Sequence, residues 1–321
     1  METRNFGRLG RISALTLGGG GIAGVWGGTD RSEAIGTVHA AIDAGVTMLD
    51  LAPSYGSDFE SERAVGEALR ARPAPDVMIT SKVQLTKLPG APDWGQRIRD
   101  SLRDSLLRLG RDHLDLFLLH TQLRPRFPSD AVPDDLDWPD YEVVAAEFAR
   151  LREEGLIRAW GITAVAHPGS VVDALGAVPR PDAAQVVVNP LDMNGDLWVY
   201  GPSVRSGNDE IIRAANANDV SVIGIRAVAA GSLTGALDRE LDPRHPAAVD
   251  FARAEPFRKL AAEFGETPAA LAHRYALSVP GVATVVLGVK NRAELAECLA
   301  AESRGPLTSE ELQAITALRQ R

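Results

Sequence analysis

The feature that most constrains the fold is a regular alternation of short β-rich runs with longer helical patterns along the chain. Each run of apolar and β-branched residues is followed by a segment whose apolar residues have helical spacing. The strand candidates are Leu15–Gly19, Val46–Leu51, Val77–Lys82, His113–Leu119, Leu156–Thr163, Ala184–Val188, Val220–Ile225 and Val282–Leu287. The helical patterns are Ser32–Ala44, Glu60–Ala71, Gln96–Leu109, Glu142–Glu154, Ser170–Leu175, Asp209–Asn216, Phe251–Phe264 and Arg292–Ala301. Eight strand and helix pairs predict a parallel α/β fold closed into a (βα)8 barrel, because an open doubly wound sheet usually has fewer strands and a second domain.

No linker rich in Pro, Gly or Ser divides the chain, so we predict a single domain over residues 1–321. The turn signal Leu9-Gly10 within Asn5–Ile12 predicts an N-terminal hairpin that closes the bottom of the barrel. Two helical patterns between Leu241 and Ser278 predict an extra helix near the C-terminus. The polar segment Thr121–Asp140 is predicted to be a long loop after the fourth strand, on the face where barrel enzymes carry their sites.

Composition limits the class of protein. The chain is 45% hydrophobic and 24% charged, as in ordinary globular proteins, and its net charge of -9 argues against a general affinity for nucleic acid or anionic membranes. A single cysteine, Cys298, excludes an internal disulfide and a cysteine-rich zinc site, so no metal site is predicted. The N-terminal residues lack a signal-peptide pattern, and no stretch of about 18 apolar residues could cross a bilayer. These features predict a cytoplasmic protein without membrane or nucleic-acid partners.

The glycine-rich segment Gly19–Gly24 follows the first predicted strand and matches the G-x-G-x-x-G pattern of dinucleotide-binding loops. Asp50, at the end of the next strand, stands where a ribose-binding acid would lie in such a fold. However, the fingerprint should open its helix directly, whereas here the next helix is predicted to begin near Asp30, with Glu33 completing a capping pair. The alternative is a βα loop whose glycines let the backbone approach a ligand.

Four polar residues follow neighbouring strands. Asp50 ends the second strand, Tyr55 lies five residues further on, Lys82 ends the third strand and His120 follows the fourth. Because neighbouring parallel strands lie about 4.8 Å apart, these side chains can meet over the barrel mouth. Taken singly, each has a structural alternative: a helix cap, a packed turn, a solvated strand end, or a group that satisfies local backbone. Their common placement on one face favours a catalytic set.

The chemistry of this set suits proton transfer. A phenol has a reference pKa of about 10, and a nearby ammonium can lower that pKa by about 1–3 units. Lys82 is expected to supply the charge and Asp50 to hold Lys82 in place, while His120 hydrogen-bonds a carbonyl oxygen or relays the proton. Tyr55 would then protonate the oxygen as a hydride adds to the carbonyl carbon.

The segments LDLAPSYG, SERAVGEAL, ITSK and LDLFLLH make the sequence resemble the aldo-keto reductase family. The resemblance continues in GIT, QVVVNPL, GSLTG and LGVKNRAEL, and so spans most of the chain. It implies a TIM barrel, a cofactor that is usually NADPH and lies extended across the barrel mouth, and no Rossmann unit. It also implies that Tyr55 is the general acid/base, that Asp50 and Lys82 tune it, and that His120 orients the substrate carbonyl.

The same resemblance assigns cofactor contacts along four loops. Gly20 and Gly21 belong to the first loop, while Thr163 and Gln185 fall where the family contacts the nicotinamide carboxamide. Ala164 replaces a common asparagine, and Ile225 stands where a stacking aromatic residue is frequent. After the seventh strand the contacts fall on Arg226, Val228 and Ala229. Arg226 is expected to contact the pyrophosphate, the alternative being a surface arginine that caps the strand end.

The stretch after the eighth strand bears on cofactor choice. The positions that align with the adenosine-binding residues of the family are Gly288, Lys290, Glu294, Glu297 and Cys298. Lys290 and Arg292 could hold a 2′-phosphate, whereas the Glu294 carboxylate would repel it. We predict NADPH as cofactor, with NADH as the alternative.

The substrate is expected to be a small carbonyl compound or a sugar. Trp26, Trp94, Trp138 and Trp198 are candidates for an apolar or sugar-stacking wall, with loop anchoring as the alternative role. His245 and His273 are interpreted as structural. A cofactor-sensing regulatory subunit of the same fold is the second functional hypothesis, and a Rossmann reductase is the third. None of the three tyrosines outside the predicted set is followed by the Tyr-x-x-x-Lys spacing that the third hypothesis requires.

Overall fold

A computed structural model describes residues 1–87, 90, 93–125, 136–201 and 203–319 of the chain. In this described part, eight parallel strands close into a barrel in sequence order, with the last strand pairing with the first. The barrel strands are β3 (Leu15–Gly18), β4 (Met48–Asp50), β5 (Met78–Val83), β6 (Leu114–Leu119), β7 (Ile157–Thr163), β8 (Ala183–Val187), β9 (Ser221–Ile225) and β10 (Val282–Leu287). The predicted (βα)8 barrel is confirmed.

Helices cover the outside of the barrel, mostly between successive strands. Their bounds are α1 (Gly19–Ile22), α2 (Arg31–Asp43), α3 (Glu60–Ala71), α4 (Trp94–Leu109), α5 (Trp138–Glu153), α6 (Pro168–Gly176), α7 (Asn208–Ala217), α8 (Pro246–Arg253), α9 (Glu255–Glu263), α10 (Pro268–Ser278), α11 (Arg292–Ser303) and α12 (Ser309–Leu318). The Asp30 side chain caps α2 by accepting from the Glu33 backbone N–H, as predicted, whereas the Glu33 carboxylate pairs with Arg292. Within the described residues, none of the helices combines the length and apolar composition that crossing a bilayer requires.

Two predicted boundaries were wrong. The pattern Phe251–Phe264 is divided at Ala254 between α8 and α9, because Pro256 in the first turn of α9 cannot continue a preceding helix. Trp138 lies in α5 rather than in the loop, because Asp137 and Asp140 form a capping box that starts the helix early. The rest of the predicted long loop falls largely on residues 126–135, which lie outside the described residues.

The N-terminal hairpin consists of β1 (Thr3–Asn5) and β2 (Arg11–Ser13), which pair antiparallel as predicted. Arg4 donates to the Val282 carbonyl oxygen at the start of β10, and Arg8 pairs with Asp182 just before β8. The hairpin therefore covers the end of the barrel where the strands begin. Apolar residues of the hairpin and of the barrel interior form one buried cluster: Phe6, Leu9, Ile12, Met48, Leu116, Leu118, Ala159, Ala183, Ile223 and Ala283.

Strand register brings the polar strand ends to the opposite mouth. Gly18 pairs with Asp50, Asp50 with Thr80, and Thr163 with Gln185. Because all eight described barrel strands run in the same direction, the loops that follow them share this face. The fold thus fixes where the candidate site lies.

Candidate active site

A buried ion pair lies at the barrel mouth. Lys82 Nζ donates to Asp50 Oδ1 and to the Leu51 carbonyl oxygen, each at 2.8 Å. Gln185 Nε2 also donates to Asp50 Oδ1, at 2.8 Å. All three side chains are buried, and burial of a charge is tolerated where partners satisfy it. This network fixes the position of the ammonium group.

Tyr55 and His120 complete the cluster. Lys82 Nζ lies 4.7 Å from the centroid of the Tyr55 ring. The Tyr55 and His120 rings meet edge to face, with centroids 5.9 Å apart and an angle of 87° between their planes. The Tyr55 backbone N–H donates to the Ala52 carbonyl oxygen, so a tight turn carries the phenol back toward Lys82. The four residues that the sequence predicts as a catalytic set therefore lie together, and they are called the tetrad below: Asp50, Tyr55, Lys82 and His120.

The electrostatics of Tyr55 differ from the sequence expectation. Burial raises the pKa of Tyr55 above its usual value, and the neighbouring Lys82 charge only partly opposes this effect. Lys82 lowers the pKa of Tyr55 as expected, but the pKa is raised on balance, because removing the phenolate from water costs more than one ammonium recovers. For Lys82, burial alone would lower the pKa, but the Asp50 carboxylate outweighs it and the pKa is raised. The site therefore holds a protonated phenol beside a charged lysine at neutral pH.

His120 is neutral at physiological pH. Burial, with a smaller contribution from the Lys82 charge, lowers the pKa of His120 to about 3. A neutral imidazole can donate or accept a hydrogen bond but carries no readily transferred excess proton. His120 therefore suits binding of a carbonyl oxygen better than proton relay.

The glycine-rich segment lies at the same mouth, after β3 and so between the strands β10 and β4. It forms α1 directly after β3, and a Cβ on Gly21 would lie 2.1 Å from the Val289 carbonyl oxygen. The Rossmann interpretation was wrong, since the strand preceding this segment belongs to a closed barrel. Gly20 and Gly288 face the Trp26 indole, with Cβ positions 3.2 and 3.4 Å from its Nε1. The glycines thus allow close packing within the protein.

Thr163, at the end of β7, and Gln185, in the middle of β8, offer polar groups at paired positions of adjacent strands. Of the residues that the structure describes, Thr163 is among those with a buried side-chain atom, Oγ1, that lacks a hydrogen-bond partner. An unpaired buried hydroxyl next to Gln185 fits a ligand amide, which both donates and accepts. Ala164 is buried and has only a methyl group to offer there. These residues fit a nicotinamide carboxamide with fewer hydrogen bonds than an asparagine would allow.

Arg226 lies across the mouth from the tetrad. Its side chain is only 9% exposed, donates to Asp196 Oδ1 at 2.8 Å and lies 5.1 Å from the Trp26 ring. The alternative of a solvated surface arginine was therefore wrong. The backbone of Arg226 and of Ala229, which follows Val228, is left-handed, with φ of 57° and 47°. Such conformations in residues other than glycine are strained and cluster at ligand-binding loops.

Ion pairs hold the loop that follows β10 and the start of α11 in place. Lys290 pairs with Asp238 and with Glu294, whose Oε1 lies 2.8 Å from Lys290 Nζ. Glu294 also accepts from the Lys290 backbone N–H, and Arg292 pairs with Glu33 at 2.7 Å. Both cations predicted to hold a 2′-phosphate are thus already paired with carboxylates.

Glu297 and Cys298 lie further along α11. Glu297 accepts from the Thr267 hydroxyl, and the Cys298 thiol is buried 3.8 Å from His273 Nε2. Burial raises the pKa of Cys298 to about 12, so the thiol is uncharged. Cys298 and His273 pack between α10 and α11, and His245 caps α8 by accepting from the Ala247 backbone N–H. Adenosine contacts by Glu297 and Cys298 stay predictions.

The tryptophans divide between two roles. Trp94 donates to Asp140 and Trp138 to Glu142, so both indoles anchor helices outside the barrel. Trp198 packs edge to face on Tyr200 in the loop after β8, with centroids 5.2 Å apart. Trp26 lies beside Gly20, Gly288 and Arg226, which are predicted cofactor residues, and its place in a substrate wall stays a prediction.

Sequence reasoning missed Asp196 and Asp238. Each lies 30 or more residues from the cation it pairs with, Arg226 and Lys290 respectively. No local pattern marks them, since exposed aspartates are common in loops. Trp26 was named from the sequence only as a candidate for the substrate wall, and its contacts with Gly20, Gly288 and Arg226 were not foreseen.

A closed parallel barrel whose mouth carries a buried lysine and carboxylate beside a tyrosine and a histidine defines a barrel enzyme. The chain belongs to the aldo/keto reductase family, whose model matches residues 14–320. It is therefore an oxidoreductase of the kind that interconverts carbonyl compounds and alcohols.

Three curated relatives match nearly the whole chain. The aldo-keto reductase YhdN from Bacillus subtilis is 27% identical and covers 95% of this chain and 89% of its own length. L-galactose dehydrogenase from Arabidopsis thaliana is 26% identical, with coverage of 94% and 88%. A putative voltage-gated potassium channel subunit beta from Schizosaccharomyces pombe is 28% identical, with coverage of 97% and 91%.

Solved structures share the same fold. The holo form of an aldo-keto reductase from Bacillus halodurans has a TM-score of 0.72 at 24% identity and covers 99% of this chain and 96% of its own. The glycerol dehydrogenase from Gluconobacter oxydans has a TM-score of 0.68 at 25% identity, with coverage of 96% and 91%.

Proposed function

We propose that the protein is an NAD(P)(H)-dependent oxidoreductase that interconverts an aldehyde or ketone and its alcohol, with Tyr55 as general acid/base. The observation that carries this proposal is the packing of the Tyr55 ring on the buried Lys82 ammonium, itself held by Asp50. No other role explains so well why a charged lysine is buried beside a phenol at a barrel mouth.

The protein's own groups handle the proton. In reduction, the Tyr55 hydroxyl donates its proton to the carbonyl oxygen while neutral His120 donates a hydrogen bond to the same oxygen. Lys82 stabilises the resulting phenolate, and Asp50 keeps the ammonium in place. Because the pKa of Tyr55 is raised, the acid form prevails at neutral pH. Oxidation requires the phenolate and should accelerate toward alkaline pH.

A bound nicotinamide cofactor would supply the hydride. Thr163 and Gln185 would hold its carboxamide, and Arg226 with the backbone near Gly20, Val228 and Ala229 would face its phosphates. Lys290, Glu294 and Gly288 would line its adenosine end. The NADPH preference and the cytoplasmic location stay predictions. Dissociation constants for NADPH and NADH, measured by Trp fluorescence, test the first, and a clear preference for NADH would overturn it.

Small neutral carbonyl compounds, sugars and polyols are the proposed substrates. The names of the similar L-galactose dehydrogenase and glycerol dehydrogenase support this class. Trp198 and Tyr200 offer aromatic faces beside the mouth, and such faces stack on sugar rings. A panel of aldehydes, ketones, sugars and polyols, followed by nicotinamide absorbance, would identify the class.

Replacing Tyr55 by Phe tests the assignment directly. Loss of a general acid should lower kcat by at least about 10²-fold while leaving cofactor affinity unchanged. Tyr141→Phe is the matched control, because Tyr141 is a buried tyrosine outside the site whose hydroxyl bonds the Ala174 carbonyl oxygen. Near-normal turnover by Tyr55→Phe would contradict the proposed role.

A second candidate function is a cofactor-sensing regulatory subunit. Its support is the similarity to a putative channel subunit beta. The complete tetrad favours the enzyme. Tight nucleotide binding without turnover on any substrate of the panel would favour the regulatory role instead.

A further inference from the structure

The first turn of α3 holds two buried polar residues that the proposed mechanism does not use. Ser61 and Glu62 are adjacent, and each is fully shielded from solvent. Burying a carboxylate is costly unless it is paired and hydrogen-bonded, so such a residue calls for an explanation. Their partners lie on the two segments that carry Tyr55 and Lys82.

Ser61 holds the turn that presents Tyr55. Its backbone N–H donates to the Tyr55 carbonyl oxygen at 3.2 Å. Its hydroxyl donates to the Ala52 carbonyl oxygen at 3.2 Å, and Ser61 Oγ in turn accepts from the Ala52 backbone N–H at 3.4 Å. Both ends of the four-residue turn from Ala52 to Tyr55 are thereby attached to one residue of α3.

Glu62 holds the strand that carries Lys82. Ser81 Oγ donates to Glu62 Oε1 at 2.6 Å, and the Arg108 guanidinium donates to the other carboxylate oxygen. Successive side chains of a strand point to opposite faces, so Ser81 faces α3 while Lys82 faces the barrel interior. Arg108 also lies over the Phe59 ring, 4.2 Å from its centroid, in the segment between Tyr55 and α3.

Ser61 and Glu62, which are adjacent in α3, therefore bind the turn that carries Tyr55 and the strand that carries Lys82. The separation of these two elements matters for proton transfer. We propose that Ser61 and Glu62 are positioning residues that set the distance between the Tyr55 phenol and the Lys82 ammonium. The proposal rests on the proposed role of Tyr55 as general acid/base. If the pair had only a structural role, its loss would lower the stability of the protein but would leave the ionisation of Tyr55 unchanged.

Ser61→Ala and Glu62→Gln test the proposal in the full-length protein with bound cofactor. Displacement of about 1 Å at a reacting group can lower the rate by up to about 10²-fold, so we expect kcat to fall about 10- to 100-fold. Cofactor dissociation constants should stay within about twofold. A more distant Lys82 stabilises the phenolate less, so the alkaline limb of the pH profile for reduction should move to higher pH.

Glu266→Gln is the matched control. Glu266 is also a fully buried carboxylate paired with an arginine, Arg274, but it lies beside α10, away from the tetrad. This variant should lower the melting temperature without moving the pH profile. If Ser61→Ala and Glu62→Gln behave in the same way, the positioning role is wrong.

Two further variants, Ser81→Ala and the double variant Tyr55→Phe with Ser61→Ala, separate the remaining outcomes. If Glu62→Gln does not fold, Ser61→Ala and Ser81→Ala each remove one hydroxyl and decide the matter. In a Tyr55→Phe background, Ser61→Ala should cause no further loss, since there is no phenol to position. High activity of Tyr55→Phe alone would overturn the proposed function, whereas an inactive Tyr55→Phe with an unaltered Ser61→Ala profile would overturn only the positioning role.

Discussion

Lys82 keeps its charge inside the barrel because its ammonium has two oxygen acceptors at 2.8 Å, one from Asp50 and one from the backbone of Leu51. Asp50 Oδ1 in turn accepts from Gln185 as well as from Lys82, so this oxygen has two donors. Removing either partner would leave the other charge buried and unpaired, which typically costs about 3–5 kcal/mol. Variants of this pair, which belongs to the proposed catalytic set, must therefore be assayed for stability as well as for rate.

His120 should make folding stability depend on pH. Its pKa is lowered to about 3 in the folded protein, against about 6.5 for an unperturbed histidine. The unfolded state then binds more protons below pH 6.5, so the stability present above that pH is lost as the pH falls toward 3. Between pH 7 and pH 5 the loss through this residue is at most about 2 kcal/mol.

Urea denaturation at pH 7 and pH 5 measures this effect. The wild-type protein should lose more stability between the two values than His120→Gln, which has no titrating ring. The other histidines are common to both proteins and cancel in the comparison. Equal losses would mean that His120 is not held neutral by its surroundings.

Among the elements, the single turn of α1 sets how closely the first and last loops of the mouth approach each other. Gly21 has no room for a side chain, because a Cβ would lie 2.1 Å from the Val289 oxygen and 2.6 Å from the Gly288 oxygen. These are backbone atoms and cannot move aside as a flexible side chain can.

Gly21→Ala should therefore displace the loop after β10. We expect a loss of about 1–3 kcal/mol in stability, as for other overpacked positions, and a weaker affinity for the cofactor. Gly28→Ala is the control in the same loop, since a Cβ there meets no atom within 4 Å. Denaturant unfolding and cofactor titration of the two variants measure the difference, and similar behaviour would show that the close contact is unimportant.

At the scale of the whole molecule, the two ends of the barrel differ in the residues they carry. The hairpin seals the end where the strands begin, with Phe6 and Ile12 buried against the barrel interior. The tetrad and the predicted cofactor residues occupy the opposite mouth. We therefore expect the hairpin end to affect mainly stability and the opposite mouth to carry the proposed chemistry.

Phe6→Ala tests this separation. Loss of a buried phenyl group should destabilise the protein by about 3–5 kcal/mol. Michaelis constants and kcat should stay near the wild-type values under conditions where the variant is folded. Val178→Ala serves as the control for a simple loss of apolar surface, because Val178 is 90% exposed. A marked change in KM for Phe6→Ala would show that the two ends are coupled.

Much of the fold follows from local patterns. All eight predicted barrel strands overlap observed ones, because a buried strand shows its character in a few consecutive residues. Boundaries were less predictable where a proline or a cap overrode composition, as at Pro256 and Trp138. The tetrad was predictable because Asp50, Lys82 and His120 each stand at a strand end, and parallel strands bring such ends to one face.

The sequence by itself thus determined the barrel, the family and the meeting of Asp50, Tyr55, Lys82 and His120 at one mouth. Only the tertiary structure decided the direction of the Tyr55 pKa, because burial depends on every element packed around the phenol. It also decided the pairing of Arg226 with Asp196 and of Lys290 with Asp238, and the place of Trp26 between the loops. The tendency to form a strand depends on neighbouring residues, whereas desolvation and ion pairing arise between residues far apart in the chain.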